Sequence, residues 1–326
     1  LSELPKTALL PLLADGQYHS CQALAEALGV SRTTVWKQLS KLQTLDLTIE
    51  SVKGRGYRIV GGIDLLDAAA VRAGLGSDAS ALLSSLTVLP SVDSTNAEAL
   101  RAPVTGGGHV YAAEQQTAGR GRRGRLWASP FARNIYVSLV WEFDQGAAAL
   151  EGLSLAVGVA VARALAAVGA PTVQLKWPND VLYQGAKLGG VLLEMVGDAA
   201  GSCRVVIGVG LNVAMPAQRA AGIDQSWTDL KNIMDTAVPS RSVLLAALLN
   251  ELLPLAAGFE ASGFGPWRDE WQQLDACSGQ AVVLTGPGTR KTGIARGADH
   301  RGALLLETSV GLQTVYGGEI SLRVSS

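Results

Sequence analysis

The 326-residue sequence predicts an α+β protein of several domains, and three regions of different hydrophobic pattern carry that prediction. Residues 1–62 read as short helices followed by a hairpin, 65–273 mix strands with long apolar helices, and 274–326 are short alternating runs separated by glycine. A chain of this length exceeds a usual single domain and has ample material for a sizeable core.

The first region has the pattern of a winged helix-turn-helix. Leu24, Ala27 and Leu28 share a helix face, Gly29 ends that helix, and Ser31 can cap a further helix whose Val35, Leu39 and Leu42 recur at helical spacing. On the polar side of that helix stand Arg32, Thr33, Thr34, Lys37 and Lys41, a mixture able to reach base edges and phosphates from the major groove. Trp36 either packs on the wing or faces the groove, and periodicity leaves both open. The wing is expected as two strands, Leu47–Val52 and Gly56–Val60, joined through Lys53-Gly54-Arg55. Between residues 31 and 58 six basic residues face only Asp46 and Glu50, whereas the whole chain carries a net charge of −1. Positive charge is therefore local, where DNA would lie. A winged helix used only for protein contacts is the competing reading, because a fold alone does not dictate function.

In the second region the expected strands are Leu86–Leu89, His109–Glu114, Asn134–Phe143, Val173–Lys176, Leu188–Met195 and Val205–Val213. The expected helices are Thr95–Leu100, Leu150–Val168 and Val243–Phe259. Several strands follow one another without a helix between them, which predicts a mixed, largely antiparallel sheet. Thr95-x-x-Glu98 has the form of a capping box, which would account for Ser94 and Asn96 as ordinary helix-start residues. Short hydroxyls and an amide at a helix start also suit a neutral hydrogen-bonding ring.

The segment Gly119-Arg120-Gly121-Arg122-Arg123-Gly124-Arg125 places four guanidinium groups and three glycines in seven residues with no acid among them. Open, it repels itself and should be mobile; closed over a phosphate-bearing ligand, its arginine forks and bare amides satisfy many anionic oxygens. It matches G-x-G-x-x-G formally, but it runs into Leu126-Trp127-Ala128-Ser129-Pro130 and opens no helix, which excludes a dinucleotide fingerprint. A disordered nucleic-acid arm or a solvated basic loop fits the composition too, although apolar flanks on both sides count against a free arm.

Other chemistries have little to draw on. Only His19, His109 and His300 are present, one per expected domain, so a histidine base or Ser-His-Asp arrangement is disfavoured. Cys21, Cys203 and Cys277 lack metal-ligand spacing and suit buried thiols in a reducing cytoplasm; no metal site is expected of them. The apolar stretches Leu153–Val168 and Val243–Ala257 are interrupted by Arg163, Asn250 and Glu251 and read as core helices, not membrane spans. Without a basic start followed by a long apolar run, secretion is not expected. Beyond Asp275 five strands are expected, Ala281–Leu284, Thr292–Arg296, Ala303–Glu307, Leu312–Tyr316 and Ile320–Val324, enough for a small β-barrel.

Three separated segments, 114–127 (from Glu114-Gln115-Gln116 through the arginine-glycine run to Leu126-Trp127), Lys176-Trp177-Pro178-Asn179-Asp180 and Lys187-Leu188-Gly189-Gly190, resemble the biotin protein ligase family over essentially the whole chain. With the winged helix, the resemblance is to the subgroup that joins biotin ligase and biotin operon repressor in one polypeptide. It implies a central mixed α/β ligase domain at 65–273, an SH3-like barrel at 274–326 and a DNA-binding domain at 1–62. The implied reaction uses ATP, biotin and Mg2+: the biotin carboxylate attacks the α-phosphate, and a lysine of a biotin carboxyl carrier protein then displaces AMP. Operator DNA and a ligand-induced homodimer are the other implied partners. By similarity Lys187 and Arg122 are catalytic. Ser94, Thr95, Asn96, Gln116, Arg120, Gly121, Arg122 and Lys187 meet biotin, and Arg122, Arg125, Trp127, Lys176, Asn179, Asp180 and Asn212 meet the nucleotide. A biotin sensor without ligase activity and a lipoate or octanoate ligase relative stay as alternatives. Ala132 departs from the glycine usual in the family, so the turn there either differs or does without a positive φ.

Overall fold

In a computed structural model, residues 8–45, 47–197, 201–220, 222–286, 289–317 and 320–324 are described. The start of the expected first domain, residues 1–7, and Asp46 of its basic stretch lie outside the described residues.

The chain opens with α1 (Leu10–Leu13), α2 (Cys21–Leu28) and α3 (Arg32–Leu42), then the hairpin β1 (Ile49–Val52) and β2 (Gly56–Ile59). Ser20 caps α2, Gly29 closes it with φ 64, and the Ser31 hydroxyl accepts from Thr34 N at 3.2 Å to start α3. Leu24 and Ala25 are the buried residues of α2; Ala27, expected in the core, faces solvent. The helix is rotated so that Ala25 takes the inner position beside Leu24.

Next come α4 (Ala68–Ala73), α5 (Ser77–Leu82), β3 (Ser85–Leu89), α6 (Thr95–Arg101), β4 (His109–Ala113), β5 (Ile135–Phe143), α7 (Leu153–Ala167), β6 (Gln174–Lys176), β7 (Asp180–Tyr183), β8 (Ala186–Gly197) and β9 (Cys203–Leu211), with α8 (Leu230–Ile233), α9 (Arg241–Ser262) and α10 (Gly265–Leu274) after them. The seven strands lie in the order β3-β4-β5-β9-β8-β7-β6. Only β3 and β4 pair in parallel, so the sheet is mixed and largely antiparallel. Helices α7 and α9 cover one face, where alternate strand residues such as Val137, Leu139, Ile207 and Val209 meet Val157, Val161, Leu245 and Leu249 in one core. Helix α9 is long and apolar enough to cross a bilayer by composition, but most of its apolar window is buried in this core.

The remaining strands β10 (Ala281–Gly286), β11 (Thr289–Ala298), β12 (Leu304–Thr308), β13 (Gly311–Val315) and β14 (Ser321–Val324) form an antiparallel sheet in the order β13-β12-β11-β10-β14. Val282, Leu284, Ala295, Leu304 and Leu322 belong to the same core as α7 and α9. The N-terminal helices have a separate core, which Phe131 and Ala132 join from the central region. Ala132 adopts φ 52, so the turn keeps its left-handed residue without the glycine.

Candidate active site

Across the face of the large sheet opposite α7 and α9, which α6 partly covers, strand register sets out two rows. Ser138 on β5, Gly208 on β9 and Leu192 on β8 stand side by side, and Tyr136, Gly210 and Gly190 form the next row. A methyl on Gly208 would collide with Asn96 Oδ1, and one on Gly210 would lie 2.6 Å from the Trp127 ring. Two bare positions at strand period thus make room above the sheet. The result is a cavity of about 620 Å³, the size of a small-molecule site, and it collects all three sequence segments.

One wall is the start of α6. Ser94, not Thr95, is the cap: its hydroxyl accepts from Ala97 N at 3.5 Å, while Glu98 pairs with Arg101 at 2.7 Å. The expected capping box is therefore not formed, because Thr95 is engaged elsewhere. Its N–H and hydroxyl both donate to Gln116 Oε1, at 2.9 and 3.1 Å. Ser138 Oγ lies 2.8 Å from Thr95 Oγ1 and donates to Asn96 Oδ1 at 2.6 Å. Asn96 Nδ2 donates to Leu192 O and to Glu194 Oε2, so this amide is held by protein at both ends.

The arginine-glycine segment is a hairpin standing over the opening. Gly121 N donates to Arg125 O at 2.7 Å, Arg120 and Leu126 bridge antiparallel, and Trp127 N donates to Gly119 O. Arg123 and Gly124 turn it with φ 58 and 68. Arg122 reaches down: one Nη donates to Asn179 Oδ1 at 3.0 Å and the other to Ile320 O, so it touches both the central region and the C-terminal sheet. Its desolvation lowers the guanidinium pKa, with Asp180 opposing that shift.

Lys187 emerges where the β7–β8 register slips between Val181 and Leu182, an irregularity that leaves Leu188 in the core and turns Lys187 toward Gly190. Its Nζ lies 2.5 Å from Asp180 Oδ1 and 5.5 Å from the Trp127 ring centre, and Lys176 holds the other Asp180 oxygen at 2.9 Å. Burial opposes ionisation of Asp180, but the two ammonium groups outweigh it and keep the carboxyl below its usual range. Two cations and one anion leave a net positive centre under the arginine hairpin, able to neutralise an anionic ligand.

Of the expected site residues, Ser94, Thr95, Asn96, Gln116, Arg120, Gly121, Arg122, Arg125, Trp127, Lys176, Asn179, Asp180 and Lys187 all border this cavity. Asn212 is set behind the wall. Its Nδ2 donates to Thr228 O at 3.0 Å, which fastens the segment around Ser226 beside Lys187, and its buried Oδ1 has no partner among the described residues. Trp127 Nε1 is likewise buried and unpaired. Asp224, Gln225, Ser226, Gln280 and Arg323 border the cavity without having been singled out in the sequence. They come from loops and from the C-terminal sheet, where no motif marks them. The glycines at 208 and 210 were legible as a period-2 pair in a strand. At the cavity's edge burial pushes the Cys277 thiol up to about 11 and the Asp275 carboxyl up to about 6.

The expected DNA-facing residues lie on α3, outside this cavity. Arg32, Thr33, Lys37 and Lys41 are exposed, as is Trp36 at 60%. Thr34 is half-buried, with its hydroxyl 3.0 Å from that of Ser31. Tyr18 carries the guanidinium groups of Arg55 and Arg58 on its ring, at 4.1 and 4.6 Å, which shapes the base of the wing.

A mixed sheet with a cationic cavity, a helical basic module before it and a small β-sheet after it define a ligase of the biotin/lipoate type. Residues 88–212 match the biotin/lipoate A/B protein ligase family, 6–58 an HTH domain and 277–323 the biotin protein ligase C-terminal domain. The chain is 40% identical over 316 residues to the bifunctional ligase/repressor BirA of Salmonella typhimurium, covering 97% of this chain and 96% of that one. It is 39% identical over the same span and shares to BirA of Escherichia coli. It therefore belongs to the bifunctional ligase/repressor family. Among solved structures, the biotin protein ligase of Aquifex aeolicus in complex with biotin and ATP superposes with a TM-score of 0.64 at 29% identity, covering 74% of this chain and 100% of that one.

Proposed function

We propose that this chain forms biotinyl-5′-AMP from biotin and ATP and transfers the biotin to a lysine of a biotin carboxyl carrier protein. We propose too that it represses transcription from operator DNA with the adenylate as corepressor. The observation that carries the reading is the meeting of Lys187, Arg122 and the arginine hairpin over a cavity floored by bare glycines.

A biotin carboxylate oxygen attacks the α-phosphorus of ATP, the bond from that phosphorus to the β-bridging oxygen breaks, and pyrophosphate leaves. The carrier lysine, as a neutral amine, then attacks the acyl carbon, AMP departs with the electron pair of the acyl–oxygen bond, and the new amide nitrogen gives up one proton to water. Both partners in the first step are anionic, so catalysis is chiefly electrostatic. Lys187 exchanges part of its contact with Asp180 for the carboxylate and phosphate, and Arg122 and Arg125 hold phosphate oxygens. Thr95 and Gln116, oriented by Ser138 and Ser129, meet the ureido ring together with Ser94, Asn96 and the backbone at Arg120 and Gly121. Trp127 stacks toward the adenine side, and Asn212 supports that side from behind the wall through its bond to Thr228 O. Lys176, Asn179 and Asp180 line the nucleotide side. Asp180 is a carboxylate beside the expected phosphates, which together are the usual oxygen ligands of Mg2+, and the ion would neutralise phosphate charge there. An acyl-adenylate is labile to water, and the hairpin excludes it until an acceptor arrives.

The three segments 1–62, 65–273 and 274–326 divide the work as DNA-binding, ligase and C-terminal domains. The loaded chain pairs with a second copy on DNA, and encounter with the carrier protein in the cytoplasm competes for the same loaded state. Incubation with ATP, Mg2+, biotin and a carboxyl carrier fragment should add one biotin to one lysine, read by mass spectrometry. No mass gain, with retained biotin and DNA binding, would favour a sensor; preference for lipoate in competition would favour the related ligases.

A further inference from the structure

Glu194 has no place in the chemistry above, yet two parts of the site converge on it. Strand β8 alternates Gly190, Leu192 and Glu194 on the cavity face, and the Glu194 side chain is about a quarter exposed. Its Oε2 accepts from Asn96 Nδ2 at 2.8 Å and from Arg120 Nη2 at 3.2 Å. The first bond orients the amide at the start of α6. The second fixes the base of the arginine hairpin. Beneath that hairpin lies a recess bordered by Ala118, residues 120–126, Leu192 and Glu194, and Glu194 is the one acidic residue among them. Four like charges in seven residues oppose closure, and this carboxylate offsets them from below.

We propose that Glu194 is a positioning residue: a single carboxylate oxygen couples the ring-binding wall, through Asn96, to the closed arginine hairpin, through Arg120, and so sets how long the adenylate is retained. This rests on the reading that the hairpin closes over the adenylate. Glutamine at 194 can still accept from Asn96 but loses the charge that holds Arg120, whereas alanine loses both.

The test is a rapid-chase measurement of biotinyl-5′-AMP release from the full chain, with thermal unfolding confirming that each variant is folded. A half-exposed ion pair predicts a modest effect. Glu194→Gln and Arg120→Ala should each speed release about three- to fivefold at low salt. The double variant should release no faster than the faster single one, and the difference from the parent should shrink in high salt. Glu194→Ala should raise the KM for biotin more than Glu194→Gln does. Equal release from Glu194→Gln and the parent, or multiplicative effects in the double variant, would overturn the coupling. Arg122→Ala separates the two levels: faster release there with no effect at 194 removes only the Glu194 role, and unchanged release in both removes hairpin closure itself.

Discussion

Among the cation–carboxylate groupings of the described residues, two are built to opposite ends. Arg241 and Glu114, only 2% and 5% exposed, spend their hydrogen-bonding capacity on the protein. Arg241 donates to Glu114 Oε2, to the carbonyls of Asp64 and Asn134, and through its N–H to Asp64 Oδ2; Leu66 N takes the remaining Glu114 oxygen. This knot ties the segment leaving the N-terminal module to β4, β5 and the start of α9. Around Asp180, by contrast, two lysines share one carboxylate at the wall of a cavity, and their remaining N–H donors are available to an anionic ligand. A saturated ion pair is structural, and an under-neutralised one beside a cavity is poised for binding. Distance alone does not separate them, since Lys187–Asp180 and Arg241–Glu114 are both 2.5 Å.

The contrast is broken most directly at Arg241. Arg241→Ala leaves Glu114 buried without its cation and should cost about 3–5 kcal/mol in urea unfolding. A loss no larger than that of a surface arginine would show the knot to be dispensable. Lys187→Met should do the reverse, slowing adenylate formation about 100- to 1000-fold in single-turnover assays while Tm stays near that of the parent. A large fall in Tm would mean that this pair, too, is structural.

Asp275 sharpens the comparison, being a carboxyl near the cavity that no cation among the described residues holds. Burial pushes it up to about 6 from an ordinary 3.8, so the folded chain keeps its proton where the unfolded chain loses it. Its contribution is full below about pH 4 and declines as pH rises toward 6. Asp275→Asn should therefore stabilise the protein by about 1–3 kcal/mol at pH 8, with the gain vanishing near pH 4. The smallest effect is expected at Ala132. Relief of left-handed strain, about 1–2 kcal/mol, against loss of a buried methyl, about 0.8 kcal/mol, leaves Ala132→Gly more stable by about 0.5 kcal/mol in the same unfolding assay.

Much of this was readable in the sequence because it is local. The arginine-glycine run, Lys176–Asp180 and Lys187–Gly190 are contiguous, and the structure brings all three to one cavity. Long periodic helices such as α7 and α9 were likewise visible within a few residues of their ends. Strand β7 escaped because it is four residues long and follows the turn signals Pro178-Asn179, and α4, α5 and α10 are short or weakly patterned. Arg241 and Glu194 carried no signal, since their partners lie 127 and 98 residues away along the chain. The cap at Ser94 was misplaced by one residue because Gln116, a tertiary partner, claims Thr95.

The separate apolar cores bear on how such a chain can be rearranged by descent. The tail sheet shares its interior with α7 and α9, and Arg122 and Trp177 are fastened to it by Ile320 O and Gly302 O. Cutting it away would lay open the middle of the molecule. The head piece, resting on its own interior with Phe131 and Ala132 as its inserted pegs, could be exchanged for another reader of nucleic acid, or dropped, at the cost of re-covering two side chains.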